Sequence, residues 1–412
     1  MRVIFCLVFS VFCTGCLLAQ PKTLGQYINA GLQTSPLLKD YAYQAQINGI
    51  DSARIAAGYK PQVNAVSTNT YSPVIGGVGY DGAITNFGTF SQLVSATKQW
   101  VSKANLNNQY GALRLLGDSL RNASKITMQD LKKAITTQYI IAYGSWQQYQ
   151  FNREVYSLLA KEDTLLKTLT QATVYRQTDY LTFLVTLQQQ KLAVMGARNQ
   201  YQADFATLNY VSGIFDTAFT PLAPPDIELS NMLEAENTVF YNKYLIDSMV
   251  LRNADAQIDF TYKPKINFYA DAGYISSFTY QAYKNFGTSV GVNLSVPIYD
   301  GKQRKMQHSK IAIAEQARQQ YQNYFVTQYN QQLAQLAQQL QNTQQIIAET
   351  EGQLNYVESL IQANAKLLAT GDVHMADYII AINNYLNAKN IILQNNINKL
   401  QIINQVNYWS SK

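Results

Sequence analysis

Ser289-Val290-Gly291-Val292-Asn293-Leu294-Ser295-Val296-Pro297-Ile298-Tyr299-Asp300-Gly301 is the stretch on which the fold turns. Val290, Val292, Leu294 and Val296 fall on one side of an extended chain. Ser289, Gly291, Asn293 and Ser295 fall on the other. Strict period-2 alternation predicts a strand in a sheet with one apolar and one polar face. The run then meets Pro297, and Asp300-Gly301 leads into a basic cluster of Lys302, Arg304 and Lys305. Pro and Gly mark the bend where strand becomes helix. A neighbouring stretch alternates in the same way, with Ile266, Phe268 and Ala270 against Asn267, Tyr269 and Asp271. In a protein surrounded by water, such an apolar face packs on a core. In an outer-membrane barrel it faces lipid, and the polar face lines a wet lumen. Alternation alone leaves both open.

Working outward, the chain repeats itself. Tyr59-Lys60-Pro61-Gln62-Val63-Asn64 returns as Tyr262-Lys263-Pro264-Lys265-Ile266-Asn267, and Asn86-Phe87-Gly88-Thr89 as Asn285-Phe286-Gly287-Thr288. Asp179-Tyr180-Leu181 with Leu184 returns as Asp377-Tyr378-Ile379 with Ile382. Matches in constant order at nearly one offset predict two structural halves. The first covers 20–212: a helix, strands about 61–71 and 85–97, then long helices about 100–165 and 176–212. Residues 213–233, with Pro221, Pro224 and Pro225, form the linker. The second half covers 234–412: a helix, strands about 264–276 and 285–299, then long helices about 302–368 and 374–408.

The long helices carry their own signal. Val326, Leu333, Leu340, Ile347, Leu354, Ile361 and Leu368 are spaced by seven. A sustained heptad predicts coiled-coil-like packing. The other faces are rich in Gln and Asn, which suits a solvated surface and a polar tunnel wall equally. Four strands cannot close a barrel around a channel, because barrel diameter grows with strand number. A barrel would therefore need strands from several copies arranged in a closed ring.

Composition bounds the class. Of 412 residues, 14% are charged, well below the roughly 25% of ordinary globular domains. There are 30 Tyr, and the net charge is +6. The basic residues are scattered along the chain without a cluster, which argues against nucleic acid as a partner. Met1-Arg2 followed by an apolar run to Leu18 and then Ala19 predicts a signal peptide, residues 1–19. Thr14-Gly15-Cys16 also resembles the end of a lipoprotein box, so a lipid anchor at Cys16 is the alternative processing. All three cysteines, Cys6, Cys13 and Cys16, lie in this segment, so the mature chain has no disulfide framework.

Leu294-Ser295-Val296-Pro297-Ile298-Tyr299-Asp300-Gly301 with its basic cluster resembles the second-half signature of the TolC family of outer-membrane factors. Thr370-Gly371, Asp377 and Leu386-Asn387-Ala388-Lys389 are similar to that family's second hairpin tip and returning helix. The resemblance covers the mature chain. It implies a mainly α fold with β: long coiled-coil-like helical hairpins forming a periplasmic α-barrel, and four strands per chain in a shared trimeric β-barrel. It implies a homotrimer in the outer membrane of a Gram-negative bacterium, spanning into the periplasm. Its implied partners are outer-membrane lipid, a periplasmic adaptor protein and an inner-membrane pump of the RND or ABC class. The implied function is a passive conduit for efflux or type I secretion, with no enzyme activity and no cofactor. Family carboxylates ring the aperture at the second tip, and Asp377 matches the first of them. Ile380 stands where the second is expected, and Val373 where the family has a basic residue. Asp179 and Arg176 are the repeat partners of Asp377 and His374. With Asp372, these residues are the tip candidates, and Pro297, Asp300 and Gly301 form the strand-to-helix junction. Thr173 replaces the Gly expected at the first tip.

Motifs for other chemistry fail on context. Gly77-Val78-Gly79-Tyr80-Asp81-Gly82 fits the dinucleotide-binding glycine pattern but precedes a strand instead of a helix, so it reads as a loop between strands. Ser95-Ala96-Thr97-Lys98 fits S-x-x-K without the motifs that accompany it in penicillin-recognising enzymes. His308 and His374 make no metal-binding pair. His374 reads as an exposed polar residue or as a pH-sensitive tip group. A periplasmic coiled-coil protein would explain the heptads but not the amphipathic strand pairs. An exported hydrolase lacks a nucleophile–base set.

Overall fold

A computed structural model describes residues 22–81, 88–216, 218–277 and 284–412. The expected signal peptide, the Cys16 alternative and part of the first Asn-Phe-Gly repeat lie outside them. In chain order the elements are α1 (Leu24–Thr34), α2 (Pro36–Gly58), β1 (Gln62–Tyr71), β2 (Gly88–Trp100), α3 (Lys103–Gln171), α4 (Gln177–Val211), α5 (Val239–Thr261), β3 (Lys265–Ser276), β4 (Phe286–Ser295), α6 (Gln303–Thr370) and α7 (Met375–Trp409). Each half thus holds helix, two strands and two long helices. β4 stops at Ser295, short of the expected 299, where Pro297 follows and the partner strand is preceded by Pro264. Proline has no N–H to extend the ladder. β2 runs on to Trp100, past the expected 97, because β3 supplies Ile266 to Phe268 opposite its last residues.

The chain forms two compact units, and each draws on both sequence halves. One comprises residues up to 35, 128–233 and 331–411. Its first core gathers Tyr27, Ile135, Tyr139, Tyr201, Phe205 and Leu208. Gly31 sits where a Cβ would fall 2.3 Å from Ile135 Cδ1, so α1 and α3 approach through a glycine. The Tyr139 hydroxyl lies 2.9 Å from the Lys22 carbonyl and 2.6 Å from that of Ala223, which ties the linker to α3. At the far end of α7, Asn407 accepts from the Ser230 N–H and donates to the Glu228 carbonyl. A second core gathers Val155, Leu159, Leu166, Phe183, Leu368 and Tyr378 beneath the hairpin tips. The heptad positions of α6 in this unit, Leu333 to Leu368, are buried or half-buried. A companion stripe three residues on from each of the first five is buried too: Leu336, Thr343, Thr350, Val357 and Asn364.

The other unit comprises 36–127 and 234–330. Its four strands form one antiparallel sheet in the order β1-β2-β3-β4. Its helices meet largely through polar groups. Asn108 donates to Gln257 at 2.8 Å, Tyr59 pairs with Gln109, and Arg318 reaches the Tyr244 carbonyl at 3.2 Å. Among the described residues its buried hydrophobic side chains are Ala235, Val239 and Tyr329. That core is far too small to stabilise so long a segment by itself.

Candidate functional site

Residues directly opposite in an antiparallel ladder share a face. The register therefore carries the alternation across all four strands. One row runs Val63–Ala96–Ala270–Val290, and another Trp100–Ile266–Leu294. On the opposite face run Asn64–Ser95–Asp271–Ser289 and Gln62–Thr97–Tyr269–Gly291. The apolar face is uncovered: Val290 is 85% and Leu294 63% exposed. Aromatic residues sit at both ends of it, Trp100 and Phe268 at one, Tyr71, Phe90, Tyr274 and Phe286 at the other. Trp100 and Phe90 are ten residues apart, about 33 Å of strand at 3.3 Å per residue. In a membrane barrel, a strand of that length tilted by about 40° spans an apolar band about 25 Å tall. β1 and β4 each have one strand neighbour, so the sheet has two open edges. On the polar face Tyr269 lies across Gly291, where a Cβ would fall 2.3 Å from its ring. A glycine shielded by a cross-strand aromatic keeps the strand regular.

The glycine-rich run after β1 is a turn. Gly76 and Gly77 both have positive φ, and Ile75 and Val78 exchange backbone hydrogen bonds at 3.0 and 3.1 Å. That is the geometry of a two-residue hairpin turn. Gly82 lies outside the described residues. Ser95 and Lys98 stand on opposite faces of β2, so they cannot act as a nucleophile and its base.

At the strand-to-helix junction Pro297 ends the extended run, and Gly301 and Lys302 both take positive φ, 65° and 70°. The Asp300 carboxylate accepts from the Lys302 N–H at 2.8 Å and the Arg304 N–H at 2.7 Å. It caps the free N–H groups that begin α6. These bonds, the Arg304 N–H foremost, hold its carboxyl below the usual carboxylate range. Arg304 in turn grips Asp259 at 2.6 Å. His308 places one ring nitrogen 2.6 Å from Asp255 and the other 3.2 Å from Asp259. Facing carboxylates, first Asp255, raise the His308 pKa. Nothing in the residue spacing announced this cluster; it forms because α5 and α6 pack side by side.

The two hairpin tips have the same construction. Val174 N–H bonds the Leu169 carbonyl and Thr173 N–H that of Thr170; Asp372 bonds Leu367 and Gly371 bonds Leu368. Both are Schellman C-caps, which need a left-handed residue. Thr173 supplies it at φ 64° and Gly371 at φ 82°. Arg176 and His374 are the N-cap residues of α4 and α7, and Asp179 and Asp377 lie in their first turns. Carboxylates there are favoured by the helix dipole. Asp372, His374, Asp377 and Arg176 are exposed and Asp179 is half-buried. Among the described residues no hydrogen bond or ion pair holds the side chains of His374 or Asp377. What joins the tips is Tyr175, whose hydroxyl lies 3.0 Å from the Leu368 carbonyl and 3.1 Å from that of Val373. Burial raises its pKa, and the charges of Asp372 and Asp179 add to the rise. Tyr175 was invisible to repeat matching because Val373 stands at its counterpart position. The tyrosines of the repeated Asp-Tyr motif are structural. Tyr378 is fully buried, and Tyr180 bonds Asp163 at 3.0 Å.

The sequence matches no family model and no curated protein. Solved structures do match. The channel-forming protein CusC aligns with a TM-score of 0.78 at 12% identity, covering 95% of this chain and 93% of its own. The outer membrane protein VceC of Vibrio cholerae gives 0.74 at 12%, covering 94% and 96%. The MtrE outer membrane channel of Neisseria gonorrhoeae, in its open state, gives 0.74 at 11%, covering 94% and 89%. This chain therefore has the fold of those outer-membrane proteins over almost its whole length.

Proposed function

We propose that this protein is an outer-membrane channel, a passive conduit in a tripartite efflux or type I secretion system, assembled as a homotrimer. One observation carries the reading: the four-stranded sheet has an uncovered apolar face, a polar reverse face and two open edges. Open edges invite more strands, and lipid is the medium in which an uncovered apolar face is stable. Three copies supply twelve strands, enough for a water-filled lumen lined by the Asn64–Ser95–Asp271–Ser289 face. No helix among the described residues is long and apolar enough to cross a membrane. α3 and α6, of 69 and 68 residues, are each about 100 Å long at 1.5 Å per residue. That suits a duct through the periplasm.

In this reading the tips are the periplasmic end, where an adaptor and an inner-membrane RND or ABC pump dock. The conduit performs no chemistry; the pump supplies energy. Exposed Asp377 carboxylates, one per copy, ring the aperture, with Asp179, Asp372, Arg176 and His374 around them. A ring of carboxylates favours cations. The first experiment is native mass spectrometry of the detergent-purified protein from the outer-membrane fraction, followed by conductance in planar bilayers. A trimer with discrete conductance is expected; a monomer without conductance would overturn the channel. Asp377→Ala should raise conductance or lower cation selectivity. If both stay unchanged, the aperture lies elsewhere.

A further inference from the structure

The sequence scatters its lysines, but the antiparallel topology collects them. The starts of β1 and β3 and the ends of β2 and β4 lie at one end of the sheet. Lys60, Lys98, Lys103, Lys263 and Lys265 therefore converge there, Lys98 on the apolar face and Lys265 on the polar face with Asn267 and Tyr269. Lys302 and Lys305 join them, because Asp300 and Arg304 contact Tyr262. All are exposed. The carboxylates at this end are already engaged: Asp259 by Arg304, Asp255 by His308, Asp300 by the start of α6. No ion pair holds any of the seven lysines among the described residues. At the opposite end of the sheet the described charged residues are Asp81 and Lys284.

Lys98 is the most informative of the seven. It stands on the apolar face itself, opposite Phe268 and two residues inside Trp100. A lysine there would be costly in hydrocarbon unless its stem followed the apolar surface and its ammonium reached the polar boundary. Trp100 marks that boundary. The group that meets an ammonium at this level, beside a cluster of lysines without carboxylate partners, is a lipid phosphate.

We propose that this end of the sheet, with Lys98 and Trp100 at its centre, binds anionic glycerophospholipid headgroups of the membrane leaflet next to the helices. The proposal rests on the barrel reading. The cationic rim selects anionic over zwitterionic lipid by about five-fold per lysine near the surface. The preference weakens with salt, since exposed charges are screened.

The test uses the full protein in nanodiscs containing phosphatidylcholine or phosphatidylglycerol brominated on the acyl chains. Quenching of Trp100 is read as the difference between wild type and Trp100→Phe. Expected is stronger quenching by brominated phosphatidylglycerol at equal mole fraction, a preference that falls about five-fold in Lys98→Gln and persists in Lys98→Arg. It should survive millimolar inorganic phosphate and fade in half-molar salt. Equal quenching by both lipids, or a preference that Lys98→Gln leaves intact, overturns the proposal while sparing the barrel. Absence of quenching by either lipid removes the barrel reading and the proposal with it.

Discussion

Thr173 and Gly371 hold the same left-handed position in the two hairpin tips, but only one is a glycine. A β-branched residue with positive φ is strained. Thr173→Gly should therefore raise stability by about 1 kcal/mol, allowing for the glycine's greater freedom in the unfolded chain. Gly371→Ala should lower it, because its Cβ would also fall 2.6 Å from Val174 Cγ1. Thermal unfolding in detergent reads both signs. The tyrosines of the tip region make a second contrast. The Tyr378 hydroxyl is buried without a hydrogen-bond partner, and burial together with the Glu162 charge pushes its pKa up. Tyr378→Phe should be neutral or stabilise by up to about 1 kcal/mol, whereas Tyr175→Phe removes the hydroxyl's bond to the tip carbonyls and should cost about 1 kcal/mol. His308 brings pH into the junction. Its pKa is raised in the folded protein, so the stability it adds is complete below the ordinary histidine value and fades as pH rises through the raised one. The difference in melting temperature between wild type and His308→Gln should shrink between pH 6 and pH 9. A constant difference would mean that the Asp255 and Asp259 contacts do not depend on the imidazole's charge.

Among the elements, α6 shows how much of the packing was legible. Seven-residue spacing from Val326 to Leu368 marked one stripe of the seam. The second stripe escaped because Thr343, Thr350 and Asn364 interrupt it, although each is buried. Two of those polar groups are hydrogen-bonded: Thr350 donates to the Ile346 carbonyl of its own helix at 2.7 Å, and Asn364 to the Asp377 carbonyl of α7. Leu336, nearly fully buried within the second stripe, should cost about 2–5 kcal/mol when cut to alanine, while Gln338→Ala on the exposed face should be close to silent. Chemical denaturation of the two variants makes the comparison. The strands show a similar limit. β3 and β4 alternate clearly, so both faces were readable. β1 and β2 do not, because Ser67, Asn69 and Gln92 fall on the apolar face towards its outer end. Only the register assigns them a side.

For the molecule as a whole, duplication was readable from recurring short motifs, but the compact units were not. Both units draw on both repeats, because α3 and α6 contribute residues to each. A periodic sequence cannot announce where long helices change neighbours. The tip candidates follow from likeness of position; among the described residues the exposed side chains of His374 and Asp377 make no hydrogen bond or ion pair by which the fold alone would identify them. Among the described residues one unit buries three hydrophobic side chains, which in the proposed trimer ties folding to association. The melting temperature should therefore rise with protein concentration, as for any obligate oligomer, and a midpoint constant over a hundred-fold dilution would show that single copies are stable. In the proposed outer-membrane trimer, the open strands at β1 and β4 also bear on the life of the newly exported chain. Until two siblings arrive, each copy offers two unpaired backbones and a greasy surface to whatever it meets, which is the recipe for misassembly. Its waiting time is then a race between encounter and aggregation. Escort by a holding chaperone should matter most when synthesis is slow and siblings are rare.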